Sequence, residues 1–329
     1  MTRTQKLAVL LLLGACTSCE KSQLDPLISV PIDPLAGTSS IVFHRPQAVG
    51  TQVRQQGLFK SHHRVTALSS GYVVHQELGD LQLSYDLAKT LLEVDLDGTP
   101  TRIRYKVSVI NASNADNPSA AVGQGGIVRL QGPQAAQATS SSGQVFDLAR
   151  REGHTKVTML KGQLNEVEED AITDPLGPGY ELWFEEELAH LFGTKAPRRI
   201  GEEWDIDLER ATFLLERVGQ LAKPSKLSGK ATFVGVERLN GVKVQRIEAW
   251  IKGEGEVQNE ITYKKFANNN LVDVKYTGLF PVDLALPPVE QDWTVKGKGH
   301  IIAQINDDIG DIVFETSYEH ATSVSEIRR

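Results

Sequence analysis

Runs in which apolar and polar residues alternate limit what this chain can fold into more than any other feature. Such runs lie on both sides of Asp97-Gly98 and of Asn240-Gly241. Because neighbouring side chains of a strand point to opposite faces, alternation predicts antiparallel strands with one face on a core and one in water. Asp-Gly and Asn-Gly reach positive φ easily and therefore predict tight hairpin turns. We expect a mainly β fold of curved, half-barrel-like antiparallel sheets.

Three further hairpins follow from the same alternation, because in each case a short polar segment separates two alternating runs. The expected turns are residues 150–153, 268–270 and 306–310. Residues 135–143 are rich in Ser, Ala and Gln, and we expect them to form a loop.

Helical signals are few. Residues 181–192 carry apolar residues at helical spacing, and Gly193 stands just beyond the end of this segment. Residues 212–221 fit a helix or a strand equally well. The expected fold therefore contains one or two short helices beside the sheets.

Two stretches of the chain resemble each other. The pattern proline, two residues, aliphatic, glycine, two residues, large apolar occurs at residues 46–53 and again at 197–204. Each copy leads into alternating residues and a later Asp-Gly or Asn-Gly turn. A duplication and a chance similarity of turn motifs both stay open at this point. We expect two β-rich units, residues 41–193 and 194–329, which a duplication would make similar in structure.

A segment with export features precedes the β-rich part. Arg3 and Lys6 form a basic head, and seven apolar residues follow at positions 7–13. A helix that crosses a bilayer needs about 20 apolar residues, so this run is too short for a permanent span. The segment instead has the plan of a cleaved signal peptide.

Leu13-Gly14-Ala15-Cys16 resembles the lipobox of bacterial lipoproteins, in which leucine and two small residues precede an invariant cysteine. The resemblance implies that residues 1–15 are a signal peptide and that Cys16 carries diacylglycerol and an acyl chain such as palmitate. Residues 16–40 would then be a lipid anchor and flexible tether. Thr17 favours the outer membrane, because an Asp there would favour inner-membrane retention. Ordinary secretory cleavage and a second lipobox ending at Cys19 are the alternatives.

The remaining composition and motifs argue against several functions but indicate no specific activity. The formal net charge is −7 and is spread along the chain, which argues against nucleic acid as a partner. No serine lies in a Gly-x-Ser-x-Gly motif, and no His-Glu-x-x-His motif is present. The four tryptophans fit core packing better than a ligand cavity. The eight histidines lack the spacing of a metal site, and they are His44, His62, His63, His75, His154, His190, His300 and His320.

These observations favour a membrane-anchored envelope lipoprotein whose body is a non-enzymatic binding or scaffold module. The expected partners are the membrane, through the lipid on Cys16, and a hydrophobic ligand or another envelope protein. We expect no cofactor, no metal and no catalytic residue. The alternative is a hydrolase or other enzyme whose active site is assembled from dispersed residues.

Overall fold

The computed structural model describes most of the chain after residue 38. Cys16 and most of the predicted tether lie outside the described residues. The described residues are 39–43, 47–70, 72–96, 98–117, 120–122, 128–130, 137–151, 154–173, 178, 181–194, 196–216, 221, 223–256, 265–304 and 312–328.

Strands dominate the described part of the chain, which confirms the predicted mainly β fold. The strands are β1 (Gln52–Ser69), β2 (Tyr72–Val94), β3 (Pro100–Asn117), β4 (Ala120–Val122), β5 (Val128–Leu130), β6 (Gln137–Ser141), β7 (Val145–Arg151), β8 (His154–Lys161), β9 (Glu203–Asp205), β10 (Lys223–Leu239), β11 (Val242–Glu256), β12 (Lys265–Pro281), β13 (Glu290–Gln304) and β14 (Ile312–Arg328). The described helices are α1 (Glu166–Thr173), α2 (Glu181–Phe192) and α3 (Leu208–Leu214).

Twelve of these strands form one antiparallel sheet that does not close on itself among the described residues. The strand order is β8-β7-β3-β2-β1-β14-β13-β12-β11-β10-β9, and β6 pairs with β3. The first and last strands pair in the middle of the sheet, from Val53 opposite Arg328 to Ser69 opposite Ile312. The two units expected from the sequence therefore contribute strands to the same sheet.

Several local predictions are confirmed. Helix α2 begins and ends at the predicted residues. β2 and β3 are joined by the turn at Gly98, and β10 and β11 by the turn at Asn240 and Gly241. All three of these residues have positive φ. β7 pairs with β8, but Arg150 and Arg151 of the predicted turn belong to β7, and residues 152–153 are not described. β13 pairs with β14 across residues 305–311, which are not described.

Two local predictions are wrong. Residues 268–270 do not turn but continue β12, because Asn270 pairs with Gly255 on one side and Gly299 on the other. Within the segment expected to be a loop, β6 forms by pairing with β3, from Ile110 opposite Ser141 to Asn114 opposite Gln137. In both places long-range pairing overrides the local preference for a turn or loop.

The two similar stretches adopt the same local geometry. Gly50 and Gly201 both have positive φ, 88° and 80°. The Gly50 N–H donates to the Leu91 carbonyl (2.8 Å), and the Gly201 N–H donates to the Phe233 carbonyl (2.7 Å). A register shift follows Leu91 in the β2–β3 pair and Phe233 in the β10–β11 pair. Matching turns, hydrogen bonds and bulges favour an internal duplication over chance similarity.

The described chain enters the fold at one end of the sheet, which we call the entry end. Ser39 pairs with Arg198 through backbone hydrogen bonds of 2.8 and 2.9 Å. The side chain of Gln245, near the start of β11, donates to the Ser40 carbonyl (3.0 Å). The Gln47 N–H then donates to the carbonyl of Gly98 in the β2–β3 turn (3.3 Å). The segment before β1 therefore crosses the entry end, and we call the opposite end the far end.

The core lies on the face of the sheet that the helices cover, which we call the inner face. Ile172 of α1, Leu188 of α2 and Leu214 of α3 belong to the same buried cluster as Leu87 and Ile247 of the sheet. Burying this apolar surface is the main driving force for the fold. None of the described helices is both long and apolar enough to cross a membrane.

Candidate functional site

The entry half of the inner face is filled by the protein's own side chains. The rings of Phe192 and Tyr276 stack at 5.1 Å between centroids, and those of Tyr276 and Trp293 lie 4.5 Å apart. Phe43, from the segment that crosses the entry end, contacts Phe280 at 4.9 Å. All five residues are buried. This half of the inner face is therefore a packed core.

A buried ion pair lies on the inner face within this half. Lys89 of β2 contacts Glu326 of β14, and the exposed fractions of the two side chains are 0% and 4%. The Gln55 side chain between them donates to Glu326 Oε1 at 3.4 Å. The pair is bonded and secluded from solvent, so its geometry indicates a structural link between strands and offers no reacting group to a substrate.

The same polar cluster contacts the chain just before α2. The hydroxyl of Tyr105 donates to the Pro178 carbonyl at 2.8 Å, and Gln55 Nε2 lies 3.5 Å from the same oxygen. Buried polar groups need such partners, because leaving one unsatisfied costs free energy. The cluster thus links four strands to the segment that leads into the helix. Sequence reasoning missed it, although Lys89 follows Leu83, Tyr85 and Leu87 at alternate positions.

The far half of the inner face contains apolar side chains that are not fully buried. Val65, Leu81 and Phe314 occupy inner positions there, and all three are only half-buried. These three side chains are thus partly accessible to solvent, whereas Ala67 and Val272 in the same half are buried. Contiguous exposed apolar patches mark ligand or partner sites, which makes the far half the candidate region of the inner face.

His63, Tyr318 and His320 form the polar part of this surface. The Tyr318 and His320 rings lie 5.6 Å apart, and His320 stacks on the buried Phe59 at 6.3 Å. Burial lowers the pKa of His320, and the nearby His63 lowers it further. Burial raises the pKa of the Tyr318 hydroxyl. Near neutral pH the His320 imidazole and the Tyr318 phenol are therefore uncharged, and each can exchange hydrogen bonds with a ligand.

Glycines bring these rings close to the strand backbone. His63 pairs with Gly79 across β1 and β2, and Tyr318 pairs with Gly297 across β13 and β14. A Cβ atom at either glycine would overlap the ring of its partner. Aromatic side chains that cover glycines of a neighbouring strand help to fix strand register. The ring positions therefore depend on the absence of a side chain at Gly79 and Gly297.

The other histidines do not converge on this surface. His62 lies on the outer face beside Asp80, and His190 and His300 are exposed. His75 and His154 belong to β2 and β8, and His44 lies outside the described residues. Among the described residues, no group of three or more His, Cys, Asp and Glu side chains could hold a metal ion.

Two tryptophans contribute to the core, as the sequence suggested. Trp204 is buried and donates its indole N–H to the Phe192 carbonyl at 2.8 Å. Trp293 is buried beside Tyr276. Trp250 lies partly exposed, with the ammonium of Lys252 5.8 Å from its ring.

The outer face carries ion pairs that hold neighbouring strands together. Asp147 of β7 is almost fully buried and accepts hydrogen bonds from Arg102 (2.7 Å) and Arg104 (2.8 Å) of β3. Burial acts to raise the pKa of Asp147, but the two guanidinium groups outweigh it and lower the pKa. Asp86 similarly accepts from Arg54 and Gln56. Each carboxylate is fully engaged with its partners, which favours a structural role.

A cleft on the outer face near the entry end combines acidic and basic residues. Its lining includes Glu237, Arg246, Glu290 and Asp292. Burial raises the pKa of Glu290, and the charge of Asp292 raises it further. The volume is about 250 Å³, which is below the 300 to 1,000 Å³ typical of small-molecule sites.

A second cleft, beside His62, Asp80 and Glu319, has a volume of about 410 Å³ and is also lined mainly by polar residues. The inner face offers half-buried apolar side chains instead.

Comparison with known proteins identifies no family. No family model matches the chain, and no curated protein matches it. Among solved structures it is similar to crystal structures of OccK7 (OpdD), OpdL and a FadL homologue, all from Pseudomonas aeruginosa, at 6%, 7% and 9% identity. Each match covers 84% of this chain and 99%, 99% and 90% of the other, with TM-scores of 0.22, 0.13 and 0.15. Similarity this low carries no argument about function.

Proposed function

We propose that this protein is a lipid-anchored protein of the bacterial cell envelope whose body binds a hydrophobic ligand without catalysing a reaction. The observation that carries the proposal is a group of half-buried apolar side chains in the far half of the inner face. Leu83 and Leu87 are fully buried in the entry half, whereas Val65, Leu81 and Phe314 are half-buried in the far half. The far half therefore offers apolar surface that a ligand can cover.

The chemistry of the far half suits a mainly apolar ligand with a small polar group. Ligand sites are lined mostly by apolar and aromatic side chains, and a few polar atoms fix the orientation of the ligand. Val65, Leu81 and Phe314 supply the apolar part of the surface. His63 and His320 supply hydrogen-bonding atoms, and the lowered pKa of His320 leaves its imidazole neutral at pH 7. A neutral imidazole can approach an apolar ligand at lower desolvation cost than a charged one.

The location follows from the N-terminal sequence. Leu13-Gly14-Ala15-Cys16 resembles a lipobox, and two or more acyl chains on Cys16 would hold the protein stably on a membrane, where one chain would not. Thr17 favours the outer membrane. The described fold begins at Ser39 at the entry end, and the far half of the inner face lies at the opposite end of the sheet.

Titration with the fluorescent apolar probe N-phenyl-1-naphthylamine tests the binding site. Val65→Asn places an amide on the inner face, and Thr66→Asn places the same group on the outer face of the same strand. We expect Val65→Asn to weaken probe binding about tenfold, which corresponds to the loss of roughly one buried aliphatic contact, and Thr66→Asn to leave it unchanged. Equal affinity of both variants for the probe would contradict the proposed site.

Membrane fractionation tests the anchor separately. Cys16→Ser should move the protein from the membrane fraction to the soluble fraction and remove the acyl groups from its intact mass. Cys19→Ser is the matched control, and it should stay in the membrane fraction with its acyl groups. Membrane retention and an unchanged mass in Cys16→Ser would overturn the lipid attachment at this residue.

A further inference from the structure

We propose that the entry end of the body faces the membrane and that apolar turn tips at this end contact the lipid. The proposal rests on the lipid anchor at Cys16. It adds an orientation of the body relative to the bilayer and a protein surface that touches it, neither of which the anchor alone requires.

The chain reaches the fold at the entry end. Ser39 is bridged to Arg198, and Ile41 and Phe43 are buried beneath the same end of the sheet. A chain of the length between Cys16 and Ser39 spans at most about 80 Å when fully extended. The anchor therefore permits contact between this end and the bilayer, while leaving other orientations within reach. The exposed side chains of the body must therefore decide which orientation is preferred.

Five of the twelve large apolar side chains that are exposed among the described residues lie at this end. Leu96, in the β2–β3 turn, is completely exposed, and Val282 and Leu284, in the β12–β13 connection, are 44% and 53% exposed. Val49, before β1, and Ile327, near the end of β14, are exposed at the same end. Single exposed apolar residues are normal on a protein surface, but turns ordinarily carry polar residues. Five at one end, three of them at turns, indicate an apolar contact surface.

The two turns are ordered by their own hydrogen bonds. Asp95 accepts from the Thr99 N–H through its carboxylate (2.9 Å) and from the Gly98 N–H through its carbonyl (3.1 Å). Asp283 accepts from the Ala285 N–H in the same way (2.9 Å). These bonds hold Leu96 and Leu284 outward before any contact forms. Insertion of the tips therefore costs little conformational entropy.

The charges beside the tips indicate which lipids suit this surface. Asp95 adjoins Leu96 and Asp283 adjoins Leu284, whereas Glu93 is paired with Arg102 (3.1 Å). The carbonyl of the exposed Lys243 accepts a backbone hydrogen bond from the Val282 N–H (2.8 Å), so charges of both signs lie beside the tips. Carboxylates repel anionic headgroups and are tolerated at the surface of zwitterionic lipids. We therefore assign the contact to apolar side chains that enter the headgroup region of a zwitterionic bilayer.

Quenching by lipid measures the contact directly. The acylated full-length chain, with Cys19→Ser, is labelled with the fluorophore NBD at Leu96→Cys, at Leu284→Cys or, as a control, at Tyr72→Cys at the far end. The labelled proteins are incorporated into phosphatidylcholine and phosphatidylethanolamine vesicles that contain nitroxide-labelled lipid. We expect quenching at positions 96 and 284 to exceed quenching at position 72 by at least about twofold.

The outcomes separate the orientation from the anchor. Equal quenching at the three positions, or stronger quenching at position 72, in a chain whose mass shows the acyl groups would overturn the orientation alone. A chain that lacks the acyl groups and does not float with the vesicles would overturn the anchor, and the orientation with it. Circular dichroism of each labelled protein confirms that the β-rich fold is intact.

Discussion

Lys89 of β2 and Glu326 of β14 form an ion pair across β1, and both side chains are buried on the inner face. They lie 237 positions apart in the sequence. Because β1 and β14 are the first and last strands of the sheet, this pair joins the beginning and the end of the described strands. Gln55 of β1 lies between the two side chains and donates to the carboxylate.

Breaking this pair should destabilise the protein strongly. Lys89→Met leaves the Glu326 carboxylate buried without its partner, which costs about 3 to 5 kcal/mol in the free energy of unfolding. The double variant Lys89→Met with Glu326→Leu should recover most of this loss, because no buried charge is left. Urea denaturation measures each value.

The exposed pair Lys296–Glu319 is the matched control, with exposed side-chain fractions of 57% and 49%. Lys296→Met should change the unfolding free energy by about 1 kcal/mol or less, because surface ion pairs contribute little. If Lys89→Met costs no more than Lys296→Met, the buried pair does not hold the sheet together as described.

Substitution of Gly297 should disturb the far half of the inner face. Gly297→Ala places a Cβ atom in the ring of Tyr318, which must move. Overpacking of this kind costs about 1 to 3 kcal/mol. Gly235→Ala is the control, since a Cβ there meets no atom within 4 Å. The difference between the two should shrink in a Tyr318→Ala background, and a difference that persists there would argue against the ring contact.

Acidification should destabilise the protein in part through His320. Burial and His63 lower the pKa of His320 in the folded state, so the unfolded chain binds a proton more readily than the folded one. The contribution of the neutral His320 to stability is complete above the unfolded pKa of about 6.5. It falls as pH decreases below that value and levels off below the folded pKa.

His320→Gln removes this contribution and should flatten the fall in melting temperature between about pH 7 and pH 5. The raised pKa of Glu290 acts in the opposite direction, because protonation is then favoured in the folded state. That contribution is common to both proteins and cancels in the difference between them. Parallel pH profiles of the wild type and His320→Gln would contradict the assignment.

The two similar turns at Gly50 and Gly201 should lose similar amounts of unfolding free energy when the glycine is replaced. Gly50 and Gly201 have positive φ, and a Cβ atom at either meets nothing within 4 Å. Alanine at each position should therefore cost about 1 to 2 kcal/mol through backbone conformation alone, and the two costs should be similar. Denaturant unfolding of Gly50→Ala and Gly201→Ala provides the comparison. A large cost at one position and none at the other would show that the turns are not equivalent.

Local features of the fold could be predicted from the sequence. Helix α2 and the turns at Gly98 and Gly241 depend on residues close in the chain, so spacing and glycine content were sufficient. The turn expected at residues 268–270 was wrong, because Asn270 is held in β12 by neighbouring strands. The pairing of β1 with β14 is a contact between residues far apart in the sequence, which local patterns do not encode.

The candidate site was less accessible to prediction. Lys89 lies at an alternate position after Leu83 and Leu87, which marks it as an inner residue, but nothing in the sequence names Glu326 as its partner. The sequence shows that His63 and His320 are histidines but not that they are neighbours. The register of β1 against β14 brings them together. The half-buried state of Val65, Leu81 and Phe314 depends on what distant parts of the chain pack against them, which spacing does not determine.

Native mass spectrometry of the protein extracted from membranes tests the proposed binding role most directly. We predict that the wild type and Thr66→Asn carry a non-covalently bound hydrophobic molecule and that Val65→Asn carries much less of it. The absence of bound ligand from all three proteins, or equal amounts on Val65→Asn and Thr66→Asn, would contradict ligand binding at the far half of the inner face.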